Sequence, residues 1–359
     1  SSTRPDRRRY TWFRLRATVL EWRFTIACSV PLRRVTMNQH IHESKASNLA
    51  TFLYQHDSFL NHKTPVGHPE RPDRIRALKD VLADPHFDAL VKIDAPMGDV
   101  ATVLCAHPES YLNMIRDAIP DAGITRIDND TVASPGSWEA ALRGFGAANK
   151  AVDEVMTGKA GNAFCAIRPP GHHAEKTTAM GFCLFNNVVI AARHAQKAHG
   201  AERVAIVDFD VHHGNGTQDI LWDDPTALYC STHQMPLYPG TGALSEAGEH
   251  GTIVNAPLSP GDGSAQFREA MESRIFPAIT RFQPDLILIS AGFDAHHRDP
   301  LAQINLHGED FAWVTGKLLD LADTHASGRV VSLLEGGYDL MGLAESAACH
   351  INELMNASS

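Results

Sequence analysis

Short apolar runs alternate with longer amphipathic stretches from about residue 50 onward. A strand that is apolar along its whole length must be covered on both faces, so this alternation predicts an α/β fold with a parallel sheet between two layers of helices. The predicted strands are 51–56, 162–167, 203–211, 226–233, 285–294 and 329–338, and the predicted helices are 71–84, 137–158, 186–200, 265–282 and 309–326.

Length and composition fit one large α/β domain or two smaller ones, and the sequence after residue 50 shows no repeat or linker, which favours one. The chain has 359 residues, 43% of them hydrophobic, and a net charge of −10. This charge argues against direct nucleic-acid binding, and no apolar stretch approaches the roughly 18 residues of a membrane span. The six cysteines form no C-x-x-C pair, which is typical of reduced thiols in an intracellular protein. We therefore expect a cytoplasmic protein without direct nucleic-acid or membrane partners. A homo-oligomer is compatible with the sequence.

The first 36 residues differ from the rest of the chain. They contain nine arginines against two acidic residues, a charge of +7, which leaves −17 for the remainder of the net −10. A transit peptide, a basic arm, or translated sequence upstream of a start at Met37 would each explain this. We favour the last and expect residues 1–36 to lie outside the fold and 37–359 to form the catalytic domain.

The stretch VAIVDFDVHHGNG (204–216) ends an apolar strand in aspartates and histidines. Aspartate and glycine commonly form turns, so one such residue carries little information. Alternate residues of a strand share a face, which would place Asp208, Asp210 and His212 side by side. Adjacent carboxylates resist joint ionisation unless a cation separates them, so the stretch predicts a metal site.

Polar motifs end or directly follow five of the predicted strands. Ligands of open parallel sheets bind beyond the carboxyl ends of the strands, so these motifs should form one pocket. They are RPPGHHAE (168–175), DFDVHHGNG (208–216), STHQ (231–234), AGFDAHHRDP (291–300) and EGGYDL (335–340).

The donors in this pocket favour a catalytic zinc centre. Asp294 joins Asp210 and His212 as a third ligand, and three protein ligands leave a position open, whereas a structural zinc site is closed by four. Asp208 is too near in sequence to serve comfortably as a fourth ligand and is better suited to orienting a neighbour. Two carboxylates roughly neutralise Zn²⁺, so such a site gains from a separate general base.

Tandem histidines and a tyrosine complete the predicted chemistry. His172 and His173 can offer one imidazole to water and the other to a leaving group, although a single histidine would more often be structural. Tyr338 follows two glycines and can donate a hydrogen bond to an oxyanion. A tyrosine in isolation would more often cap the strand end. The accompanying histidines and metal-binding residues favour a catalytic role for Tyr338 instead.

Seven motifs, in order along the chain, resemble those of the zinc-dependent histone deacetylase superfamily, in particular its class II and bacterial amidohydrolase-like branch. The resemblance runs from about residue 52 to 350 and implies a single-domain arginase-deacetylase fold, with a parallel sheet of about eight strands flanked by helices on both faces. It also implies hydrolysis of an acylated amine. The motifs are RPPGHHAE, MGFCLFNNV, VDFDVHHGNGTQD, PGTG, SAGFDAH, DPLAQIN and EGGYDL.

The resemblance assigns roles to individual residues. It implies Zn²⁺ ligands at Asp210, His212 and Asp294, a general base at His173 beside His172, and an oxyanion donor at Tyr338. It implies that Asn215 orients His173, where class I enzymes have an aspartate, so that His173 should be less basic. A structural K⁺ site is implied at Asp208, Asp210, His212, Ser231 and Thr232, and Asp208 would also orient His172. Substrate contacts are implied at Gly181, Phe182, Tyr238, Leu301 and Gly337.

Alternatives stay open on the substrate. Acyl-lysine in peptides or proteins is favoured over an acetylated polyamine, because polyamine-selective relatives carry an acidic residue where this chain has Leu301. A di-manganese ureohydrolase would need more carboxylates than His213 and Asn215 leave, and a non-catalytic reader would not need the histidine pair and Tyr338. The acyl chain length, the physiological substrate and the choice of Zn²⁺ or Fe²⁺ are not determined by the sequence.

Overall fold

The computed structural model describes residues 49–358. The prediction for residues 1–36 concerns residues outside this range and stays a prediction. Within the described range the chain forms ten strands. They are β1 Thr51–Gln55, β2 Val91–Asp94, β3 Thr125–Arg126, β4 Val132–Ala133, β5 Asn162–Cys165, β6 Val204–Asp208, β7 Ala227–Gln234, β8 Ile253–Leu258, β9 Leu286–Ala291 and β10 Val330–Leu334.

The same range contains nine α-helices. A π-helical turn, Met271–Ile275, joins the sixth to the seventh, so that the predicted helix 265–282 is continuous but not α-helical throughout. The helices are α1 Asp73–Val81, α2 Glu109–Asp117, α3 Ser137–Met156, α4 Asn187–His199, α5 Asn215–Leu221, α6 Ser264–Ala270, α7 Phe276–Phe282, α8 Gly308–His325 and α9 Leu340–Ala357. None of these described helices is both long enough and apolar enough to cross a bilayer.

Eight strands form one sheet in the order β2-β1-β5-β10-β9-β6-β7-β8. Every neighbouring pair in it is parallel, which confirms the predicted parallel sheet. The five central strands β5, β10, β9, β6 and β7 are buried along their whole length. Their apolar side chains point to both faces, as expected of a sheet covered on each side. The short strands β3 and β4 form a separate antiparallel pair.

Helices cover both faces of this sheet. On one face, α3 packs against α4, and the pair covers β5, β6 and β9. On the other, α8 packs against α9, and this pair also contacts β9 and β5. The apolar residues between these layers form one continuous core. The prediction of a single α/β domain with helices on both faces is therefore confirmed for the described residues.

All six predicted strands are present, but two strands of the sheet were missed. β2 is an edge strand whose residues are largely exposed, so it lacks the apolar run that marks a central strand. β8 lies at the other edge and contains Pro257, which lowers the strand signal and is tolerated at an edge. Helices α2, α5 and α9 were also missed, although the buried residues of α9 follow a helical spacing.

Candidate metal centre and active site

The five motifs that follow predicted strands lie at neighbouring positions along one edge of the sheet. They lie at the carboxyl ends of β5, β10, β9, β6 and β7, which are consecutive in the sheet, and STHQ forms the last four residues of β7. Because the strands are parallel, their carboxyl ends open on the same side. The topology thus brings together the polar residues that the sequence analysis assigned to one pocket.

The β6 motif differs from the prediction in its backbone. The strand ends at Asp208, and the next residues turn. Asp208 Oδ1 accepts a hydrogen bond from the Asp210 backbone N–H (3.1 Å), and Asp210 Oδ1 accepts one from the His212 N–H (2.9 Å). The expectation that all three side chains share one strand face was therefore wrong. Asp210 and His212 converge through successive aspartate turns, which carboxylates near strand ends readily form.

Asp210, His212 and Asp294 form a compact, buried donor cluster. His212 Nδ1 lies 3.2 Å from Asp210 Oδ1 and 3.0 Å from Asp294 Oδ2. One donor atom from each residue lies within 4.8 Å of the others. Two carboxylate oxygens and one imidazole nitrogen at such spacing are a donor set that suits Zn²⁺, whose bonds to these atoms are about 2.0–2.2 Å.

Backbone groups and glycines hold the two carboxylates in place. Val211 N–H donates to Asp294 Oδ1 and Gly336 N–H donates to Asp210 Oδ2, both at 2.8 Å. A Cβ atom at Gly336 would overlap Asp294 Oδ2 and Asp210 Oδ2, and one at Gly292 would overlap Asp210 Oδ2. The glycines of EGGYDL and AGFDAH are therefore required where β10 and β9 end, because the backbone passes directly beside the donor cluster.

The electrostatics of this cluster also favour a cation. Burial and the neighbouring Asp210 carboxylate raise the pKa of Asp294 to about 7. Two fully buried carboxylates beside one imidazole carry an excess of negative charge, and a divalent cation between them would remove the repulsion. The residues present thus fit a divalent metal by number, chemistry and charge.

His172 is held by Asp208. His172 Nδ1 lies 3.0 Å from Asp208 Oδ2, which also accepts a hydrogen bond from the Tyr229 hydroxyl at 3.0 Å. Burial lowers the pKa of His172, but the Asp210 and Asp208 carboxylates outweigh this effect and raise the pKa to about 10. Tyr229 was not singled out by the sequence analysis, because it lies inside an apolar strand without a recognisable motif.

His173 has a different environment, although it is the next residue. Its Nδ1 lies 2.8 Å from Asn215 Oδ1, and Asn215 Nδ2 donates to Glu175 Oε1 at 2.7 Å. Burial and the positive charges of His172 and His212 hold the pKa of His173 well below its usual range. The two adjacent imidazoles, 4.0 Å apart between ring centres, therefore differ in protonation. Titratable neighbours with divergent pKa values are a common arrangement for acid–base chemistry.

A cavity of about 210 Å³ opens beside this histidine pair. It is lined by Asp130, His173, Gly181, Phe182, His212, Leu237, Tyr238, Leu301 and Tyr338. Apolar and aromatic side chains form most of this wall, and the candidate metal ligand His212 and the predicted base His173 also line it. A cavity that reaches a buried donor cluster suits an extended, uncharged group.

Most of the predicted substrate contacts lie on this lining. Gly181 and Phe182 both have left-handed backbones (φ 56° and 69°), which is unusual for a phenylalanine and marks local strain. Their backbone N–H groups donate to Asp130 Oδ1 and Thr131 Oγ1, both at 3.1 Å. Gly337 is the predicted contact that is not among the nine residues lining this cavity. Its carbonyl instead accepts a hydrogen bond from Arg74 Nε at 2.7 Å.

Tyr338 is fixed from two sides. The Arg74 guanidinium lies 5.1 Å from the centre of the Tyr338 ring, a cation–π distance. The carboxylate of Asp299 accepts hydrogen bonds from the backbone N–H groups of Tyr338 (2.7 Å) and Leu301 (3.0 Å). Asp299 thus connects two lining residues. Asp299 begins the motif DPLAQIN, but its proximity to Tyr338 exists only in the folded chain.

The residues predicted for a monovalent cation lie around β6 and β7. Asp208 pairs with Ser231 in the register of these strands. Ser231 Oγ lies 2.9 Å from His233 Nδ1, whereas the buried Thr232 hydroxyl has no hydrogen-bond partner among the described residues. Asp210 and His212 of this set also belong to the candidate metal cluster, and the monovalent cation itself stays a prediction.

Comparison with known proteins identifies the family. The family model described as "Histone deacetylase domain" matches residues 68–354. The chain belongs to the histone deacetylase family. The resemblance inferred from the seven motifs is thus confirmed, and with it the deacetylase and amidohydrolase class of enzyme.

Individual members agree with this assignment. A "histone deacetylase-like amidohydrolase" of Pseudomonas aeruginosa is 41% identical over 278 residues, covering 76% of this chain and 73% of that protein. A "probable deacetylase" of Archaeoglobus fulgidus is 37% identical, covering 82% and 83%. The crystal structure of the HDA15 HD domain superposes with a TM-score of 0.82 at 35% identity and covers 86% of this chain and 89% of that domain. The histone deacetylase fold therefore extends over nearly all of the described residues.

Proposed function

We propose that this protein is a zinc-dependent deacetylase that hydrolyses acetyl or related acyl groups from lysine side chains of peptides or proteins. The observation that carries the proposal is the buried Asp210–His212–Asp294 cluster at the end of a narrow cavity, beside two histidines of opposite protonation. Each part has a function in amide hydrolysis.

Asp210, His212 and Asp294 would hold the metal. The chemistry supplied there is polarisation of the amide carbonyl and acidification of water. The surrounding backbone donors keep both carboxylates oriented toward the centre. Asp208 stays hydrogen-bonded to His172 and Tyr229, and so serves as a positioning residue and as part of the proposed K⁺ site.

The histidine pair and Tyr338 would move the protons. Neutral His173 accepts a proton from water as the water oxygen bonds to the amide carbon, and Asn215 fixes its tautomer. His172, whose pKa is near 10, remains positively charged and stabilises the developing negative charge. Tyr338 donates a hydrogen bond to the carbonyl oxygen. When the C–N bond breaks, the proton held by the pair passes to the leaving amine, and the products are a carboxylate and a free amine.

The cavity wall favours acyl-lysine. Phe182 and Tyr238 provide aromatic surface for the methylene chain of a lysine, and Leu301 gives the lining an apolar side chain. The P. aeruginosa relative is named an amidohydrolase, which agrees with a linear amide as the bond that is cleaved.

An acetylated polyamine is the alternative substrate, and Asp130 is the observation in its favour. This residue contributes the only carboxylate to the cavity lining within residues 49–358. A second ammonium of a polyamine could pair with it. One oxygen of Asp130 already accepts the Gly181 N–H (3.1 Å), which leaves less capacity for a cation.

A substrate and metal panel tests the proposal. We expect one zinc at the Asp210–His212–Asp294 cluster, and kcat/KM for acetyl-lysine peptides above that for acetylspermidine at 0.15 M salt, where the general attraction of polycations to an acidic protein is screened over about 8 Å. Asp294→Ala should lose both the zinc of this cluster and the activity. Normal turnover by Asp294→Ala would refute the metal site, and a tenfold preference for acetylspermidine would replace lysine by polyamine as the substrate.

A further inference from the structure

A second group of metal-binding side chains lies on helices α3 and α4, away from the catalytic cavity. It consists of Asp153 on α3 and of His194 and His199 on α4. His194 Nε2 and His199 Nε2 each lie 2.7 Å from the same atom, Asp153 Oδ1. Together with the catalytic cluster, it is one of two such groups found among residues 49–358.

We infer that Asp153, His194 and His199 form a second site for a divalent transition metal of the Zn²⁺ type. Two imidazoles and one carboxylate are a recurrent zinc donor set, and imidazole donors also suit Cu²⁺ and Ni²⁺. The three side chains are 36%, 21% and 16% exposed, so the ion can enter from solvent and water can complete its coordination.

The geometry needs little change to accept the ion. Metal bonds of about 2.0–2.2 Å with tetrahedral angles place donor atoms roughly 3.3–3.6 Å apart, compared with the 2.7 Å between each imidazole nitrogen and the carboxylate oxygen. An opening of roughly 0.6–0.9 Å per pair is within reach of side-chain rotation. The two helices themselves are already packed together.

The local charges also favour a cation. Among the described residues, the ion pairs of Asp153 are those with the two histidines, whereas the adjacent Glu154 pairs with Lys150 and Lys159. With neutral imidazoles the group carries one negative charge. It can therefore take up a divalent cation without displacing a lysine or an arginine.

This site is separate from the catalytic centre. The loop that carries His172 and His173 contacts the start of α4. There, Asn187 Nδ2 donates to the Pro169 carbonyl (3.4 Å) and Asn186 Nδ2 to the Ala174 carbonyl (3.2 Å). His194 and His199 lie about 10 and 18 Å further along the helix axis, at 1.5 Å per residue. Metal at this position would join α3 to α4, so its effect should be on stability rather than on turnover.

Calorimetric titration with Zn²⁺ tests the inference on the full chain, first loaded with one equivalent of zinc. We expect a second equivalent to bind and the melting temperature to rise. His194→Gln and His199→Gln each retain a hydrogen-bond donor for Asp153 but lose a metal ligand. Both substitutions should lower the affinity for the second equivalent of zinc by at least about tenfold, because even the loss of groups that only orient a metal ligand lowers metal affinity by about 10–100-fold. His250→Gln, at an exposed histidine outside the group, should bind as the wild type does.

Circular dichroism of each variant checks the fold, and Asp153→Asn provides an independent variant. Wild-type protein that binds a single equivalent, or variants that bind the second one unchanged, would overturn the inference. Deacetylation by the singly loaded enzyme is measured separately. A missing second equivalent in an active enzyme refutes this site alone, whereas an inactive enzyme with two zinc sites refutes only the proposed function.

Discussion

At the scale of single residues, the divergence of His172 and His173 shows how neighbours in space determine chemistry. Both are buried histidines in one loop, yet His172 contacts a carboxylate and His173 contacts an amide. The carboxylates hold His172 protonated, and that charge in turn lowers the pKa of His173. Their different roles follow from the partners that β6 and α5 provide, since the sequence presents the two residues as equals.

Replacement of the Tyr338 hydroxyl should affect turnover more than binding. A donor that acts on the developing oxyanion stabilises mainly the transition state. We expect Tyr338→Phe to retain zinc and to lose about 10²–10³-fold in kcat, with little change in KM. Tyr238→Phe, which removes another hydroxyl on the same cavity lining, is the matched control. An unchanged kcat in Tyr338→Phe would show that another group binds the oxyanion.

The charge at position 301 should tune substrate choice. A carboxylate on the cavity lining could pair with the second ammonium of a polyamine, and a charge-assisted hydrogen bond is worth about 1.5–3 kcal/mol, or roughly 10–150-fold in kcat/KM. We expect Leu301→Glu to shift the preference toward acetylspermidine by a factor in this range, and Leu301→Gln to shift it little. The measurement is kcat/KM for both substrates. Equal preferences in the Glu and Gln variants would place position 301 outside the recognition of the amine.

At the scale of elements, the loop between β9 and α8 supports the site through one buried carboxylate. Asp299 accepts backbone hydrogen bonds from Tyr338, Asp339 and Leu301. Two of these residues follow β10, whereas the third belongs to the loop of Asp299 itself. Through Asp299 the loop therefore ties the backbone of Tyr338 to Leu301 on the cavity wall.

Loss of this carboxylate should displace Tyr338. Displacements of about 1 Å in a catalytic group can cost about 10²-fold in rate, so we expect Asp299→Ala to lose about ten- to a hundredfold in kcat/KM while it retains zinc. Asp299→Asn keeps one acceptor oxygen and should recover part of the loss. Asp84→Ala removes a comparable backbone acceptor at an exposed helix start and should leave activity intact. Wild-type rates in Asp299→Ala would exclude the positioning role.

At the scale of the whole molecule, several histidines are buried in neutral form. Burial lowers the pKa of each of them below the usual value near 6.5. The values are about 3 for His62, His213 and His350, and about 4 for His107 and His233. The unfolded chain takes up protons at these positions below pH 6.5, whereas the folded chain does not. Stability is therefore full above pH 6.5 and is lost as the pH falls toward the folded pKa values.

His350 allows one of these contributions to be measured. It lies in the core, with ring nitrogens 2.6 Å from Thr315 Oγ1 and 2.8 Å from Ser332 Oγ. One proton taken up only by the unfolded chain costs about 1.4 kcal/mol per pH unit below 6.5. Between pH 7.5 and 5.5, the free energy of unfolding of His350→Gln should fall by about 1.4 kcal/mol less than that of the wild type. Denaturant titrations at both pH values provide the comparison, and parallel losses would mean that His350 is already charged in the folded chain.

The sequence by itself determined the class of the fold and the members of the site. Strands buried on both faces must be apolar along their length, and such runs are visible without coordinates. The edge strand β2 was missed because an exposed strand does not need that pattern, and β8 was missed because Pro257 interrupts it. The candidate metal donors were recognisable because each follows a central strand, and the carboxyl ends of parallel strands meet at one edge of the sheet.

Only the tertiary structure decided which partner each of those residues contacts, and therefore which chemical role it can take. Asp208 and Asp210 are two residues apart, yet a backbone turn directs one to His172 and the other to the donor cluster. Asp130 and Asp299 carry no local signal, because their importance depends on backbone groups 39 to 51 residues away in sequence. The pairing of Asp153 with two histidines of another helix likewise appears only when α3 packs against α4. Local pattern specifies which faces are buried, but contacts between distant segments depend on packing, and packing sets the environment that determines each pKa.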